Sequence, residues 1–218
     1  MDHMDYEIIS RKRGWDGHFK LDVYKLRHRL FDGGQSAVLQ REILERGHAV
    51  AVLPYDPIRD EVVLIEQFRP GAISVHQHFP DMPLWLNEIV AGIVEDGEEM
   101  QDVAHRETME ESGCTINGPL ELISRYYVTP GCSTETVTLY YGPVDATKAG
   151  GLHGLADEGE DIRVYTVSAD ECFAMLQNNG DDCHSMADAE PRPIARKCSE
   201  KHKQHMICVY IKFDTIFT

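Results

Sequence analysis

The chain has 218 residues, 42% of them apolar and 27% charged, the proportions of a globular protein long enough to bury a core, which excludes a disordered or fibrous chain. A formal charge of −16 argues against nucleic-acid and membrane partners, since both are anionic, and no apolar run approaches a membrane-spanning length. The opening MDHMDYEIISRKRGWDG lacks a secretory pattern, and the six cysteines form no C-x-x-C pair, so a cytoplasmic protein with reduced thiols is expected.

Residues 6–46 alternate in polarity, as in Lys20-Leu21-Asp22-Val23-Tyr24-Lys25-Leu26, turn at Asp32-Gly33-Gly34 and resume at Ala37; this predicts a small antiparallel sheet. Strands are then expected at Ala49 to Leu53 and Glu61 to Gln67, separated by a turn at Pro54-Tyr55-Asp56-Pro57. The Gly-, His- and Pro-rich stretch from Pro70 to Pro83 reads as a loop, and Leu86 to Ala91 as one buried strand. Gln101 to Ser112 predicts a helix that stops at Gly113, with Val103 and Ala104 on its apolar face. Strands follow at Leu120 to Val128, Thr136 to Tyr141 and Asp161 to Val167, with a second helix from about Ala169. The expected organisation is an N-terminal sheet over residues 1–47, a main domain over residues 48–180 and a divergent tail over residues 181–218. That tail carries three of the six cysteines and shows strand character only at Met206 to Ile211; without ligand spacing, an irregular surface segment is favoured over a metal-binding one. Cys114, at an apolar helix end, reads as a small core residue rather than a nucleophile.

The informative segment is Gly92-Ile-Val-Glu-Asp-Gly-Glu98, then Arg106-Glu107-Thr108-Met109-Glu110-Glu111-Ser112-Gly113-Cys114. On a helix, Glu107 lies next to both Glu110 and Glu111. Two such charges about 4 Å apart repel by about 4 kcal/mol at an effective dielectric of ~20. A hard divalent cation, which also neutralises a pyrophosphate, is one way to offset that repulsion. A solvated acidic face, or carboxylates relieved by Arg106 and by raised pKa values, is the other.

The segment is similar to the signature of the Nudix hydrolases, G-x5-E-x7-R-E-U-x-E-E-x-G-U with U apolar, and matches all seven invariant letters: Gly92, Glu98, Arg106, Glu107, Glu110, Glu111 and Gly113. A chance match at a given position is on the order of one in 10⁸. Thr108 and Cys114 are less apolar than the U positions usually are. Pro130, sixteen residues after Cys114, stands where the ADP-ribose pyrophosphatases carry a proline. Arg41-Glu42-Ile43, Glu45-Arg46-Gly47-His48, Val63-Leu64-Ile65-Glu66-Gln67, Ser133-Thr134-Glu135 and Gly154-Leu155-Ala156-Asp157-Glu158 with Glu160-Asp161 also resemble the bacterial members. The likeness covers roughly residues 5–180.

The resemblance implies an α/β (α+β) fold: a Nudix α/β/α sandwich with a mixed sheet, plus the small N-terminal antiparallel sheet, exchanged between two subunits of a homodimer. It implies Mg²⁺, with Mn²⁺ as an alternative, held by Glu107, Glu111 and the main-chain carbonyl of Ala91, with Glu110 nearby and Glu160 as an additional ligand. Glu98 and Arg106 are expected to pair, tying loop to helix, within a box framed by Gly92 and Gly113. His18 and Phe19 would pack on the adenine, Arg41 and Glu42 would come from the partner subunit, and Arg46 and Arg69 would meet the phosphates. Ile93 would also contact substrate, and Glu135 the terminal ribose side; taken alone, His18 and Phe19 simply begin a strand. The acidic cluster 157–161 reads in isolation as a turn, and by resemblance as a catalytic loop with Glu158 as general base. The expected reaction is hydrolysis of ADP-ribose to AMP and ribose 5-phosphate. Its rivals are action on another nucleoside diphosphate sugar such as GDP-mannose, and a non-catalytic ADP-ribose sensor. The likeness lapses after about Gly180, where the family's closing amphipathic helix is replaced by Asp181-Asp-Cys-His-Ser-Met-Ala-Asp-Ala-Glu-Pro-Arg-Pro; that tail reads as out of frame or newly replaced.

Overall fold

A computed structural model describes residues 5–177 of the chain, so the expectations for the segment from Asp181 onward lie outside the described residues. The chain separates into two compact units. One holds the N-terminal residues up to His48 together with Tyr127–Thr136, and the other holds residues 49–126 and the described chain from Val137.

In the first unit, β1 (Tyr6–Asp16), β2 (Lys20–His28) and β3 (Leu39–Glu45) form the expected antiparallel sheet in the order β1-β2-β3. The alternation of β2 turns Asp22 inward to 1% exposure, where Arg11 and Arg13 both bind its carboxylate. Those two guanidiniums, Arg13 foremost, hold the Asp22 carboxyl below its ordinary range. The segment Tyr127–Thr136 joins this unit although it is remote in sequence: Leu44 N–H donates to the Cys132 carbonyl at 2.7 Å, and Thr134 N–H to the Leu44 carbonyl at 3.0 Å.

The second unit is built on an eight-stranded sheet and makes the whole a mixed α/β protein. β4 (His48–Asp56), β5 (Glu61–Phe68), β8 (Glu121–Tyr127), β9 (Thr136–Pro143), β10 (Gly151–His153) and β11 (Ile162–Ser168) run in the order β10-β11-β5-β4-β9-β8. Of the two remaining strands, β6 (Trp85–Glu88) pairs with β5 and β7 (Val90–Val94) pairs with β4. Central strands buried on both faces read as continuous apolar runs, and Val50, Val52, Val63, Ile65, Ile162 and Val164 accordingly meet Val90, Val103 and Ala104 in one core. Cys114 lies in this core, as expected of a small apolar residue. Three helices complete the described chain: α1 (Ala72–His78), α2 (Met100–Ser112) and α3 (Ala169–Gln177).

Three local expectations are corrected. The stretch 70–83 is not wholly a loop, because α1 occupies part of it; the helix buries no residue and has no side-chain cap, so it leaves no 3.6-residue pattern to read. The turn expected at Pro54–Pro57 lies later: β4 continues through Pro54 to Asp56, whose carboxylate accepts the N–H groups of Ile58 and Arg59 and reverses the chain there. Burial pushes the Asp56 carboxyl up, but the N–H donors of Ala146, Ile58 and Arg59 outweigh it and leave its pKa below the ordinary value. The single strand expected from Leu86 to Ala91 is two, since the chain changes partner from β5 to β4 at Ile89.

Candidate active site

The site grows from β7, the loop after it, and α2. Glu99 enters α2 with extended backbone, and Gly113 ends the helix at φ 69°, its N–H donating to the Met109 carbonyl at 3.0 Å, a left-handed terminus that favours glycine. A Cβ at position 113 would stand 2.4 Å from Cε1 of His153, so the terminus also lets β10 approach. The inner face of α2 carries Val103, Ala104, Thr108, Glu111 and Ser112. Its polar members are satisfied within the helix, Thr108 Oγ1 donating to the Ala104 carbonyl at 2.7 Å and Ser112 Oγ to the Thr108 carbonyl at 2.5 Å.

Glu111 is 3% exposed, and its Oε2 accepts the Ala91 N–H at 2.9 Å. Burial pushes its pKa up to about 8; the Ala91 N–H opposes the rise, while the charges of Glu107 and Glu160 add to it. Glu107 lies under β7, where a Cβ on Gly92 would meet its carboxyl carbon at 2.0 Å. Its pKa is pushed up to about 7, first by burial; Arg106 opposes this, and Glu110 and Glu160 reinforce it. Arg106 serves three carboxylates: Nη1 lies 2.9 Å from Glu107 Oε1 and 3.0 Å from Glu110 Oε2, and Nη2 lies 3.7 Å from Glu98 Oε1. The closer partners of Arg106 are therefore on the helix, and Glu98 also caps the loop by accepting the Glu95 N–H at 2.9 Å.

The acidic loop lies beside the C-terminal end of α2, Gly154 N–H donating to the Glu110 carbonyl at 3.3 Å. Glu160 Oε2 accepts the Leu155 N–H at 2.9 Å, and Glu158 is exposed on a single 3-10 turn, Ala156–Glu158. Ile93, 40% exposed, stands on β7. Arg69 follows β5 and pairs with Glu88, a residue that sequence reasoning missed. The only signal was one acid inside the apolar run Leu84-Trp-Leu-Asn-Glu-Ile-Val-Ala91, and one sequence does not name its partner.

Among the described residues, no group of three or more His, Cys, Asp and Glu side chains is gathered as a metal cage. The donor chemistry still fits a hard divalent cation. On top of burial, the charge of Glu160 raises the proton affinity of both Glu107 and Glu111, and that of Glu107 adds to the rise at Glu111, so ionising these carboxyls together calls for added positive charge.

In the first unit, the sequence-predicted residues form a second group. Arg46 Nε lies 3.1 Å from Glu135 Oε1, and its guanidinium sits 5.4 Å from the Phe19 ring centroid. His18 and Phe19 pack edge to face with centroids 4.6 Å apart; they occupy the β1–β2 hairpin rather than starting the strand, which begins at Lys20. Arg41 and Glu42 are exposed on β3, on opposite faces by strand alternation, and Pro130 is exposed in the turn before Glu135.

The NUDIX domain profile matches residues 45–182. The chain is 47% identical over 173 residues to the ADP-ribose pyrophosphatase of Escherichia coli (strain K12), covering 79% of this chain and 80% of that protein. It is 42% identical over 172 residues to the ADP-ribose pyrophosphatase of Haemophilus influenzae, covering 79% and 78%. It is 35% identical over 180 residues to the GDP-mannose pyrophosphatase of Cronobacter sakazakii, covering 80% and 87%. A crystal structure titled ADP compounds hydrolase shares the fold with a TM-score of 0.58 at 18% identity, over 81% of this chain and 85% of that one.

Proposed function

The chain belongs to the NUDIX family as a pyrophosphohydrolase, and from that premise we propose that it cleaves the pyrophosphate of ADP-ribose into AMP and ribose 5-phosphate. The observation that carries the reading is the pair of half-buried Glu107 and buried Glu111, whose carboxyls are pushed up to about 7 and about 8 and so call for a cation that a diphosphate also needs. The 47% identity to the Escherichia coli ADP-ribose pyrophosphatase supports the choice of substrate.

Glu107, Glu111, Glu160 and the Ala91 carbonyl would hold Mg²⁺ or Mn²⁺, with Glu110 adjacent on Arg106. When bound, the ion neutralises charge on the diphosphate and favours loss of a water proton. Glu158, on its exposed turn, accepts that proton as the water oxygen attacks phosphorus. The bridging P–O bond breaks, and the departing phosphate keeps the electron pair. Arg69 and Arg46 hold the phosphates in line with the attack, which lowers the entropic part of the barrier. His18 and Phe19 pack on the adenine, Ile93 contacts substrate, and Glu135 orients Arg46 and reaches the terminal ribose.

Arg41 and Glu42 serve the site of a partner subunit in a homodimer with exchanged N-terminal sheets. Tyr6 and Ile8, on one face of β1, are 53 and 50% exposed, apolar side chains of the kind that subunit association covers. The cytoplasm is the proposed location; no helix among the described residues is long and apolar enough to cross a membrane.

The 35% identity to a GDP-mannose pyrophosphatase favours a second reading, hydrolysis of another nucleoside diphosphate sugar. Incubating the purified protein with ADP-ribose, GDP-mannose and related compounds, with and without Mg²⁺, separates the two. Fastest release of AMP from ADP-ribose supports the first reading, and fastest cleavage of GDP-mannose replaces it.

A further inference from the structure

We propose that Glu88 is a positioning residue that orients the Arg69 guanidinium toward a substrate phosphate; this rests on the function proposed above. The pairing of β5 with β6 sets Glu88 opposite Ile65 and Leu86 opposite Gln67. Just past β5, Arg69 N–H donates to the Leu84 carbonyl at 3.0 Å, which fixes the backbone from which the side chain departs. Arg69 Nε then donates to Glu88 Oε1 at 2.9 Å and Nη2 to Oε2 at 2.6 Å, a two-point pairing that fixes the guanidinium plane as well as its position. The acceptor is itself steadied, because Gln67, 7% exposed, donates from Nε2 to Glu88 Oε2 at 3.4 Å.

Exposure separates the two partners. The Glu88 side chain is 19% exposed and that of Arg69 43%, so the carboxylate anchors the pair from the inner side. Ion pairs this open to water contribute little to stability, too little to explain a three-point arrangement as a fold determinant. Its effect is geometric. Glu88 takes the Nε–Nη2 edge and so sets the direction in which the rest of the guanidinium points. The Arg69 charge also reaches the acidic centre, where it lowers the proton affinity of Glu111. Arg69 thus lies within electrostatic range of the carboxylates, and Glu88 keeps it from folding onto them.

The test is a double-mutant cycle on ADP-ribose hydrolysis at saturating Mg²⁺, with Glu88→Gln, Arg69→Ala and the double variant, each checked by thermal melting. Glu88→Gln is expected to lower kcat/KM about tenfold through KM, with kcat within about threefold of the parent. Arg69→Ala is expected to lower it further, and the double variant to match Arg69→Ala within about twofold. Glu88→Asp, which keeps the charge, should recover part of the loss and replaces Glu88→Gln if that variant does not fold. Effects that multiply in the double variant, unchanged kinetics in Glu88→Gln, or an Arg69→Ala variant with the parent KM would overturn the role while leaving the proposed function standing. A parent protein that cleaves no nucleoside diphosphate sugar overturns both.

Discussion

The carboxylate of Glu111 accepts the main-chain N–H of Ala91 at 2.9 Å, joining the buried face of α2 to β7 across the centre of the site. The bond fixes one carboxylate oxygen against the sheet. In the proposed reading the other oxygen meets the cation, and the Ala91 carbonyl, on the same strand, is a further ligand. Glu111→Gln retains a side chain able to accept this bond but removes the charge. Turnover of ADP-ribose is expected to fall by at least about 10³-fold with an unchanged far-ultraviolet circular dichroism spectrum. Near-parental turnover in Mg²⁺ would remove Glu111 from the metal site.

Gly92 is needed for space, not for backbone freedom. A Cβ there would stand 2.0 Å from the Glu107 carboxyl carbon, and the end of that side chain is the part able to yield. Gly92→Ala should therefore displace Glu107, lowering kcat by about 10²-fold, the scale of a misplaced catalytic group, with little change in melting temperature. A large drop in melting temperature with kcat preserved would show that the glycine serves packing alone.

The raised carboxyls predict a pH-dependent response to metal. Glu107 and Glu111 move from an ordinary 4.5 up to about 7 and about 8. A group whose folded pKa is raised contributes stability fully present below its unfolded pKa and lost as pH rises through the folded one. The metal-free protein should thus lose stability between about pH 4.5 and 8, most steeply from about 5 to 7, where both carboxyls hold a proton only in the folded state, and less steeply above. Because the cation takes the deprotonated form, Mg²⁺ should raise the melting temperature little at pH 6 and progressively more toward pH 8. Melting curves in EDTA and in Mg²⁺ across this range check the sign; a metal effect that shrinks as pH rises contradicts it.

Phe19 supports Arg46 through its ring at 5.4 Å and is placed in the proposed reading against the adenine. Phe19→Ala should raise KM for ADP-ribose about tenfold, in keeping with ~1–3 kcal/mol per base stacked on an aromatic ring, while the rate on ribose-5-phosphate-containing diphosphates without a base changes little. Equal losses on both substrate types would show that the ring acts through Arg46 or the fold and not on the adenine.

Legibility in the sequence followed the strength of local pattern. The alternation in β2, the apolar runs of β4 and β5, and the Gly113 helix stop were all readable, because each is a local consequence of burial or backbone geometry. The box letters exposed the carboxylates, since their spacing along one helix is fixed by 3.6 residues per turn. Helix α1 was hidden because nothing on it is buried. The joining of Tyr127–Thr136 to the N-terminal sheet depends on hydrogen bonds from Leu44 to Cys132 and from Thr134 to Leu44, about ninety residues apart and without a local signal. Glu88 was missed for the same reason: its meaning lies in Arg69, nineteen residues earlier and just past a neighbouring strand.

The most direct test of the central claim is to follow ADP-ribose with the purified protein by chromatography, in Mg²⁺ and in EDTA. AMP and ribose 5-phosphate in equal amounts, formed with Mg²⁺ and abolished by EDTA, are the predicted result. Intact ADP-ribose in both Mg²⁺ and Mn²⁺, or hydrolysis undiminished by EDTA, would contradict it.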